Sequence, residues 1–257
     1  MRISLLQQPL IWEDVVANRR RFASLMAPLV GQSDLLVLPE TFTTGFSMNT
    51  ATLAEVENGP TCSWMLQQAQ QLDVAIAGSV MTRTCAGPVN RLLFATPQGE
   101  LTHYDKRHLF RMGREHEHYI AGTRQRVMAW RGVRIGLQVC YDLRFPVWSR
   151  RSAEFDYDLL LYVANWPAPR INAWRQLLIA RAIENQAYVV GVNRCGTDGK
   201  GIAHPGDSAA LDFLGMDLIR MGDQPGVMTA TLDLAALQRF RERFPAQLDA
   251  DRFSLET

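Results

Sequence analysis

The chain has 257 residues, 47% of them hydrophobic, and it carries 27 Lys and Arg against 26 Asp and Glu. This length and apolar content suit one large domain with a substantial core, which we expect to span residues 1–257. A formal net charge of +1 gives no field that would attract nucleic acid or an anionic membrane surface. The four cysteines form no Cys-x-x-Cys pair, which argues against a zinc ribbon and fits free thiols in a reducing cytosol.

The N-terminal apolar run, at residues 3–6, is too short for a signal peptide. No later stretch approaches the ~18 apolar residues of a membrane span. These observations predict a soluble protein of the cytoplasm, with neither nucleic acid nor a membrane as a partner.

The pattern of apolar runs and turn residues predicts strands and helices that alternate along parts of the chain. Asp14 is expected to cap a first helix that continues through Val30. Further helices are predicted at residues 64–72, 174–186 and 235–244. Strands are predicted at residues 3–6, 35–38, 74–79, 90–96, 101–106, 127–130, 133–139, 157–163, 187–192, 209–213, 218–221 and 226–232.

Tight-turn sequences at residues 97–100, 131–132 and 214–217 predict hairpins among these strands. Because other strands are separated by helices, the sequence favours an α/β layer protein with mixed sheets over a purely parallel barrel. Within the helix at 174–186, Leu178 and Ile183 are expected to face inward and Arg181 outward. The polar tail from about residue 245 is expected to be either a docking arm or a loosely attached end.

Cys140 directly follows the predicted strand at 133–139 and precedes a helix-compatible segment. A nucleophile at such a junction stands on a tight turn, and the backbone N–H groups that follow it are free to face an oxyanion. A lone cysteine behind an apolar strand is more often a small buried hydrophobe. The choice between these interpretations depends on the residues that accompany Cys140.

Three ionisable residues, Glu40, Lys106 and Glu115, also lie at or just beyond apolar, strand-like runs. Open α/β sheets gather their ligands and catalysts at the ends of such strands, so several strands could deliver these side chains to one rim. Each residue alone has an ordinary explanation, since Glu40 could be a solvated loop carboxylate and Lys106 a surface lysine.

Three segments carry a resemblance to a known family: LPETF at residues 38–42, YDKRHL at 104–109 and VCYDLRFP at 139–146. They resemble the three signature blocks of the nitrilase superfamily, the carbon–nitrogen hydrolases, in the family's order and spacing. The likeness extends from Ile3 to the strand at 226–232. The segments NWPAPR at 165–170 and ARAIENQAY at 180–188 make the chain most similar to the ω-amidase branch.

The resemblance implies a four-layer α-β-β-α sandwich that dimerises into a longer stack of layers, so a homodimer is expected. It also implies that Glu40, Lys106 and Cys140 form the catalytic triad. The family's second glutamate lies seven residues before a glycine in an Ala-Gly or Pro-Gly pair, and Gly122 after Ala121 would put it at Glu115. The local sequence EHEH at 115–118 differs from that of many relatives, and Glu117 is the second candidate for this glutamate.

The implied reaction releases ammonia from the terminal amide of a small 2-oxo dicarboxylic acid monoamide through a thioester at Cys140. Glu40 would take the thiol proton, pass it to the departing ammonia and later activate water. Lys106 and the backbone N–H of Tyr141 would hold the oxyanion, and Lys106 would also lower the Cys140 pKa. Glu115 is expected to accept a hydrogen bond from the substrate amide nitrogen. This chemistry needs no metal and no cofactor.

The residues of the substrate pocket are harder to assign. Arg144 is either a salt-bridge partner of Asp142 or an anchor for a substrate carboxylate. Trp166 and Arg170 either line the acyl pocket or pack in the core. The remaining candidates for the pocket wall are Phe42 and Thr43.

Alternatives from other classes remain open. Another small-molecule C–N hydrolase, an N-carbamoyl or aliphatic amidase, would use the same triad. A catalytically silent binding scaffold would keep the fold, and ammonia release from any small amide would exclude it. A zinc site at the clustered histidines is disfavoured, because their spacing is not His-Glu-x-x-His and no cysteine lies among them. These histidines are His103, His108, His116 and His118.

Overall fold

The computed structural model of the protein describes residues 1–255 and contains two β-sheets that pack face to face. The strands are β1 (Arg2–Gln7), β2 (Leu35–Val37), β3 (Glu55–Val56), β4 (Ala75–Thr84), β5 (Gly87–Ala95), β6 (Leu101–Asp105), β7 (Val127–Trp130), β8 (Val133–Val139), β9 (Leu159–Ala164), β10 (Tyr188–Asn193), β11 (Cys195–Thr197), β12 (Ala203–Pro205), β13 (Ala209–Leu211), β14 (Asp217–Arg220) and β15 (Gly226–Thr231). The helices are α1 (Val15–Met26), α2 (Thr50–Leu53), α3 (Pro60–Leu72), α4 (Pro146–Ser149), α5 (Ile171–Asn185) and α6 (Leu234–Arg243).

Sheet one has the strand order β15-β1-β2-β4-β5-β6, with β3 paired to β4, and sheet two has the order β14-β13-β10-β9-β8-β7. In each order the central strands are parallel, namely β1, β2 and β4 in sheet one and β8, β9 and β10 in sheet two. The other neighbours in the two orders are antiparallel. Helices α1 and α3 cover sheet one, and α5 and α6 cover sheet two. The prediction of an α-β-β-α sandwich with mixed sheets is confirmed.

The apolar runs of sheet one are continuous because both faces of these strands are covered. In β1, Ile3 and Leu5 belong to the core between the sheets, whereas Leu6 belongs to the core under α1 and α3. In β2, Leu35 and Leu36 divide between the two cores in the same way. This alternation follows from the two-residue period of a strand.

Helix α1 begins where the sequence predicts but ends earlier. The Asp14 carboxylate accepts a hydrogen bond from the Ala17 N–H at 2.9 Å, so Asp14 is the expected N-cap. The helix ends at Met26 rather than at Val30, because the chain tightens into a 3-10 turn that contains Pro28. Proline has no backbone N–H and cannot continue the α-helical hydrogen bonds.

The expected faces of α5 are wrong at two positions. Arg181 is buried, with 2% of its surface exposed, whereas Ile183 is 53% exposed. The Arg181 guanidinium lies inward because it donates hydrogen bonds to the Leu143 carbonyl at 2.7 Å and to the Glu184 carboxylate at 2.9 Å. A buried guanidinium requires such partners. Helix α5 is thereby attached to the segment that follows Cys140, and an apolar side chain remains on its outer face.

The tail beyond α6 has a short 3-10 helix, Ala246–Asp249, and then continues without regular structure to residue 255. Leu255 packs against the core and lies beside Phe145 and Trp148. The expected docking arm also includes residues 256–257, which lie outside the described residues. Within residues 1–255, no helix has both the length and the apolar character that crossing a membrane requires.

Several strands end at the same edge of the sandwich. The parallel strands β2, β8 and β9 come shortly before Glu40, Cys140 and Asn165. Strand β6 has the same direction as β4, because two antiparallel pairings separate them, and it ends just before Lys106. Open α/β sheets bind ligands at such carboxyl ends. The two facing sheets thus bring chemistry-bearing residues from distant parts of the chain to one place.

Candidate active site

Cys140 begins a 3-10 helix, Cys140–Arg144, immediately after β8. Its φ is 46°, in the left-handed region where a residue with a Cβ is strained by about 1–3 kcal/mol. The residue is 9% exposed and lies on the wall of a cavity. A strained turn of this kind presents a nucleophile and offers the N–H of the next residue, here Tyr141, to an oxyanion.

Lys106 and Glu40 form an ion pair on the wall of the same cavity. The Lys106 Nζ lies 2.8 Å from Glu40 Oε1, and the two side chains are 1% and 0% exposed. The backbone of Lys106 is held on both sides, since its N–H donates to the Asn90 carbonyl and its carbonyl accepts from the Gly122 N–H. Separating the partners of a buried ion pair is costly, because each charge is then left uncompensated. The pair therefore holds the side chains of Lys106 and Glu40 in place.

Glu115 is a second carboxylate on the same ammonium. Its oxygens Oε1 and Oε2 lie 3.0 and 2.9 Å from Lys106 Nζ, and Oε2 also accepts a hydrogen bond from the Phe110 N–H at 2.6 Å. Two carboxylates and Lys106 thus share one small space, as expected. However, Glu115 is 0% exposed and does not line the cavity, so its carboxylate contacts Lys106 instead of the volume open to a substrate. Glu117 is exposed and paired with Arg114.

Two asparagines that the sequence analysis did not select as site residues orient these carboxylates. The Asn90 side chain donates to Glu40 Oε1 at 2.8 Å and to Glu115 Oε1 at 3.3 Å. The Asn165 N–H donates to Glu40 Oε2 at 2.7 Å, and its side chain donates to the Glu40 carbonyl at 2.7 Å. The sequence offered one signal for each residue, a polar side chain at the boundary of an apolar run. Asn90 is the first residue of the predicted strand at 90–96, and Asn165 directly follows β9.

Burial raises the pKa of the Cys140 thiol well above its ordinary value, and the negative charge of Glu40 raises it further. Lys106 and the Asn165 N–H lower this pKa but do not outweigh the other effects. The expected influence of Lys106 on the Cys140 pKa is therefore present, but the net direction is the opposite one. The thiol is protonated at neutral pH and needs a base, and the neighbouring Glu40 carboxylate can take its proton.

Burial lowers the pKa of Lys106, but the negative charges of Glu115 and Glu40 outweigh burial and raise this pKa well above its ordinary value. Lys106 is therefore an ammonium at neutral pH and can stabilise a negative oxygen. Burial raises the pKa of Glu115, while the Lys106 charge opposes this effect and the Glu40 charge reinforces it.

The cavity beside Cys140 has a volume of about 280 Å³, which suits a small molecule. Besides Lys106, its wall includes the aromatic and cationic residues Phe46, Phe110, Tyr141, Trp166, Arg114, Arg144, Arg170 and Lys200. Within residues 1–255 its carboxylates are Glu40 and Asp198, and Asp198 already accepts hydrogen bonds from the N–H groups of Lys200 and Ile202. An anionic group on a substrate would therefore meet mainly positive charge.

The structure decides between the two interpretations of Arg144. Its guanidinium carbon lies 5.1 Å from the centre of the Trp166 ring, on the cavity wall. It forms no ion pair with Asp142, whose carboxylate is occupied by Tyr104 and His108. The salt bridge between Arg144 and Asp142 is therefore excluded, and the interpretation as a carboxylate anchor remains.

Arg170 and Trp166 also lie on the cavity wall. The Arg170 guanidinium carbon lies 5.1 Å from the centre of the Phe110 ring, and the Trp166 indole N–H donates to the Arg170 carbonyl at 2.7 Å. Among the residues described, neither Arg144 nor Arg170 has a carboxylate partner. Stacking on a ring covers one face of each guanidinium and leaves its edge free to bind an anion.

The two remaining candidates for the wall are wrong. Phe42 is 0% exposed and packs edge-to-face against Phe22 of α1, with the ring centres 5.6 Å apart. Thr43 is also buried, and its carbonyl accepts a hydrogen bond from the Asn18 side chain of α1. The chain turns at Thr41, whose φ is 41°, and this turn carries both residues away from the cavity.

One wall of the cavity comes from a hairpin that the sequence analysis did not predict. Strands β11 and β12 pair with each other as a separate two-stranded sheet. This hairpin supplies the wall residues Asp198, Lys200, Ile202 and His204. Its strands are too short to show a clear alternation, but Asp198-Gly199 is a typical turn pair and was an available signal.

A family model for carbon-nitrogen hydrolases matches residues 2–242. The chain is 52% identical to omega-amidase YafV of Yersinia enterocolitica, over 99% of this chain and 98% of that protein. It belongs to the carbon-nitrogen hydrolase family. This carbon-nitrogen hydrolase is also 36% identical to the 2-oxoglutaramate amidase of Bacillus subtilis, over 83% of each chain.

Among solved structures, this hydrolase is similar to a CN-hydrolase superfamily protein from Xanthomonas campestris. The TM-score is 0.97 and the identity is 51%, over 100% of this chain and 99% of that one. That crystal structure contains an arsenic adduct in the active site. Together with the family match, these relatives show an enzyme that acts on the carbon–nitrogen bonds of linear amides, and they confirm the resemblance inferred from the three motifs.

Proposed function

We propose that this carbon-nitrogen hydrolase is an ω-amidase that releases ammonia from the terminal amide of a small 2-oxo dicarboxylic acid monoamide, such as 2-oxoglutaramate or 2-oxosuccinamate. The observation that carries the proposal is a small cavity that joins Cys140, Glu40 and Lys106 to two guanidinium groups that have no carboxylate partner within residues 1–255. The similarity to omega-amidase YafV and to 2-oxoglutaramate amidase supports the substrate class.

Acylation begins when Glu40 takes the thiol proton of Cys140 and the sulfur attacks the carbonyl carbon of the terminal amide. The carbonyl oxygen becomes an oxyanion, which the Lys106 ammonium and the Tyr141 N–H stabilise. The loss of one such donor costs about 3–4 kcal/mol in other enzymes. The proton on Glu40 then passes to the amide nitrogen, the C–N bond breaks, and ammonia leaves a thioester on Cys140.

Deacylation reuses the same base. Glu40 removes a proton from water, and the resulting hydroxide attacks the thioester carbonyl while Lys106 again holds the oxyanion. The C–S bond breaks, the proton on Glu40 returns to the sulfur of Cys140, and the dicarboxylic acid leaves. Asn90 and Asn165 each bind a different oxygen of the Glu40 carboxylate, so both oxygens stay in place through the two half-reactions.

The carboxylate at the other end of the substrate binds Arg144 and Arg170. Each guanidinium is already stacked on an aromatic ring of the cavity wall, so little side-chain freedom is lost when the anion binds. Trp166 lies two residues after the end of β9, and its indole N–H donates to the Arg170 carbonyl. Its ring shapes the acyl part of the cavity. Glu115 acts through Lys106, whose charge and position it maintains.

Ammonia release from a panel of amides tests the proposal. The panel contains 2-oxoglutaramate, 2-oxosuccinamate, the neutral amide butyramide and an N-carbamoyl amino acid. We expect kcat/KM to be at least about tenfold higher for the 2-oxo monoamides than for butyramide, which lacks the carboxylate. Preference for the N-carbamoyl compound would favour the alternative hydrolase, and no release from any amide would favour the silent scaffold.

A homodimer is the proposed assembly. Ile183 on the outer face of α5 is 53% exposed, and Leu214 and Met216 in the β13–β14 turn are 51% and 63% exposed. Gly215 packs between them against Ile179 and Ile183, so these residues form one apolar patch. A contiguous apolar patch favours association, and the family resemblance favours a second copy as the partner. Ile183→Glu should then give monomers in sedimentation velocity, while a wild-type monomer would contradict the dimer.

The proposed setting is the cytoplasm, with residues 1–257 acting as one domain. Cys62, Cys85, Cys140 and Cys195 are all free thiols in the described part of the chain. A reducing compartment keeps such thiols unpaired, which Cys140 requires as a nucleophile. Fractionation of cells that express the protein, followed by immunodetection, would locate it.

A further inference from the structure

Asp142 lies two residues after Cys140, and its carboxylate is 0% exposed and does not line the cavity. Its oxygen Oδ2 accepts hydrogen bonds from the Tyr104 hydroxyl at 2.8 Å and from the Val139 N–H at 3.0 Å. Its oxygen Oδ1 accepts from the His108 N–H at 2.9 Å and lies 2.8 Å from His108 Nδ1. One buried carboxylate therefore joins two segments that are distant in the sequence.

One of these segments carries Lys106 and the other carries Cys140, and both residues line the cavity. Tyr104 and His108 lie two residues before and two residues after Lys106, whereas Val139 and Asp142 flank the nucleophile. Lys106 follows a strand of sheet one, and the nucleophile follows a strand of sheet two. Lys106 and Cys140 are far apart in the sequence, so noncovalent contacts between the two sheets must set the distance between their side chains. Asp142 makes such contacts on both sides of Lys106.

Contacts with aromatic side chains hold Tyr104 and His108, the two residues whose side chains contact Asp142, in place. The His108 ring stacks on the Phe145 ring, with centres 3.7 Å apart and an angle of 6° between the planes. The Trp148 indole N–H donates to the Tyr104 hydroxyl at 2.9 Å. Since this hydroxyl accepts from Trp148, its own proton is directed at Asp142. Phe145 and Trp148 both follow the nucleophile in sequence, so they reinforce the same connection between the sheets.

We propose that Asp142 is a positioning residue that sets the place of Lys106 relative to Cys140, so that Lys106 and the Tyr141 N–H meet the same substrate oxygen. This inference rests on the proposed function for the roles of Lys106 and Cys140. A displacement of about 1 Å in an active site costs about 100-fold in rate. Asp142 should accordingly control kcat and the reactivity of the thiol, with little effect on KM, because it does not contact the cavity.

The test compares Asp142→Asn with the matched control Asp158→Asn. Asp158 is also a largely buried aspartate, it directly precedes β9, and it accepts hydrogen bonds from Arg134 and Arg241 away from the cavity. In Asp142→Asn an amide NH₂ replaces one acceptor oxygen and faces donors, so hydrogen bonds are lost. We expect kcat for 2-oxoglutaramate to fall about 100-fold with KM within about twofold. Asp158→Asn should lower the melting temperature and leave kcat unchanged.

Alkylation of Cys140 by iodoacetamide gives a readout that needs no substrate. Lys106 lowers the pKa of Cys140, so a displaced Lys106 should move half-maximal alkylation to higher pH in Asp142→Asn, with no such shift in Asp158→Asn. If Asp142→Asn only melts earlier, with normal kcat and a normal alkylation profile, Asp142 is structural and the proposal fails. If wild-type protein releases no ammonia from 2-oxoglutaramate, the proposed function fails while the alkylation profile still tests the positioning.

Two milder variants decide the question if Asp142→Asn does not fold. His108→Phe keeps the stacking on Phe145 and removes the ring nitrogen near Asp142, and Tyr104→Phe removes only the hydroxyl. Each deletes one hydrogen bond to a carboxylate, so each should lower kcat about tenfold and shift the alkylation profile in the same direction. Normal kcat and alkylation in both folded variants would overturn the proposal.

Discussion

Glu115 and Lys106 face each other so that both carboxylate oxygens lie within 3.0 Å of the ammonium nitrogen. Neither side chain is appreciably exposed, and the negative charge of Glu115, like that of Glu40, raises the pKa of Lys106 against the effect of burial. The positive charge that would stabilise an oxyanion therefore depends on a residue that lies off the cavity wall.

The variant Glu115→Gln should lower kcat about 100-fold, because the amide offers Lys106 one acceptor oxygen and no negative charge. KM should change little, since Glu115 does not line the cavity. Single-turnover ammonia release, measured beside thermal melting, checks this expectation. Glu117→Gln is the matched control, because Glu117 lies two residues away, is exposed and pairs with Arg114. Normal ammonia release in Glu115→Gln would show that Lys106 does not need the second carboxylate.

The variant Glu40→Gln should move the pH of half-maximal Cys140 alkylation downward while kcat falls about 1,000-fold. The substitution should make the Cys140 thiolate easier to form and at the same time slow acylation. The Glu40 charge raises the pKa of Cys140, so neutralising it lets the thiolate form at lower pH, but no base remains to take the thiol proton during acylation. Iodoacetamide labelling across a pH series and steady-state ammonia release measure them separately. A profile that stays in place or moves upward would argue against the close approach of Glu40 and Cys140.

The variants Arg144→Met and Arg170→Met should each raise KM for 2-oxoglutaramate about tenfold, because a charge-assisted hydrogen bond to its carboxylate is lost. Kinetics with butyramide, which has no carboxylate, should be unchanged. Arg114→Met serves as the control, since Arg114 also lies on the cavity wall but is neutralised by Glu117. An equal loss with both amides would mean that Arg144 and Arg170 only shape the cavity.

The variants Cys140→Ala and Cys140→Gly should both be inactive but should differ in stability. The φ of 46° strains alanine and not glycine. Although glycine loses more conformational entropy on folding, we expect Cys140→Gly to be about 1 kcal/mol more stable than Cys140→Ala. Urea denaturation of the two proteins gives the difference. Equal stability, or a more stable alanine variant, would indicate that the turn at Cys140 is not strained.

The strands, and the places of the candidate residues at their ends, could be predicted because their signals are local. Buried strands give continuous apolar runs, and Glu40, Lys106 and Cys140 each lie directly after such a run or a few residues beyond it. Glu115 was expected because the family resemblance places a second glutamate seven residues before Gly122. The side of Lys106 that Glu115 occupies could not be predicted, because it depends on the hydrogen bond from the Phe110 N–H.

Other features depend on contacts that no local pattern contains. Arg181 is buried because the carbonyl of Leu143, 38 residues earlier, accepts its hydrogen bond. Phe42 and Thr43 point away from the cavity because Thr41 adopts a positive φ, which cannot be predicted from a threonine in the sequence. The β11–β12 hairpin was missed because its strands are too short for periodicity, although they carry one wall of the site.

The reacting groups are divided between the two sheets. Glu40 and Lys106 follow strands of sheet one, while Cys140 and Asn165 follow strands of sheet two. The side chains from each sheet are chemically ordinary by themselves: sheet one supplies a carboxylate beside an ammonium, and sheet two supplies a protonated thiol. If these groups act together as proposed, reactivity toward amides requires both sheets to be docked, and we expect a chain with only one sheet folded to hydrolyse no amide.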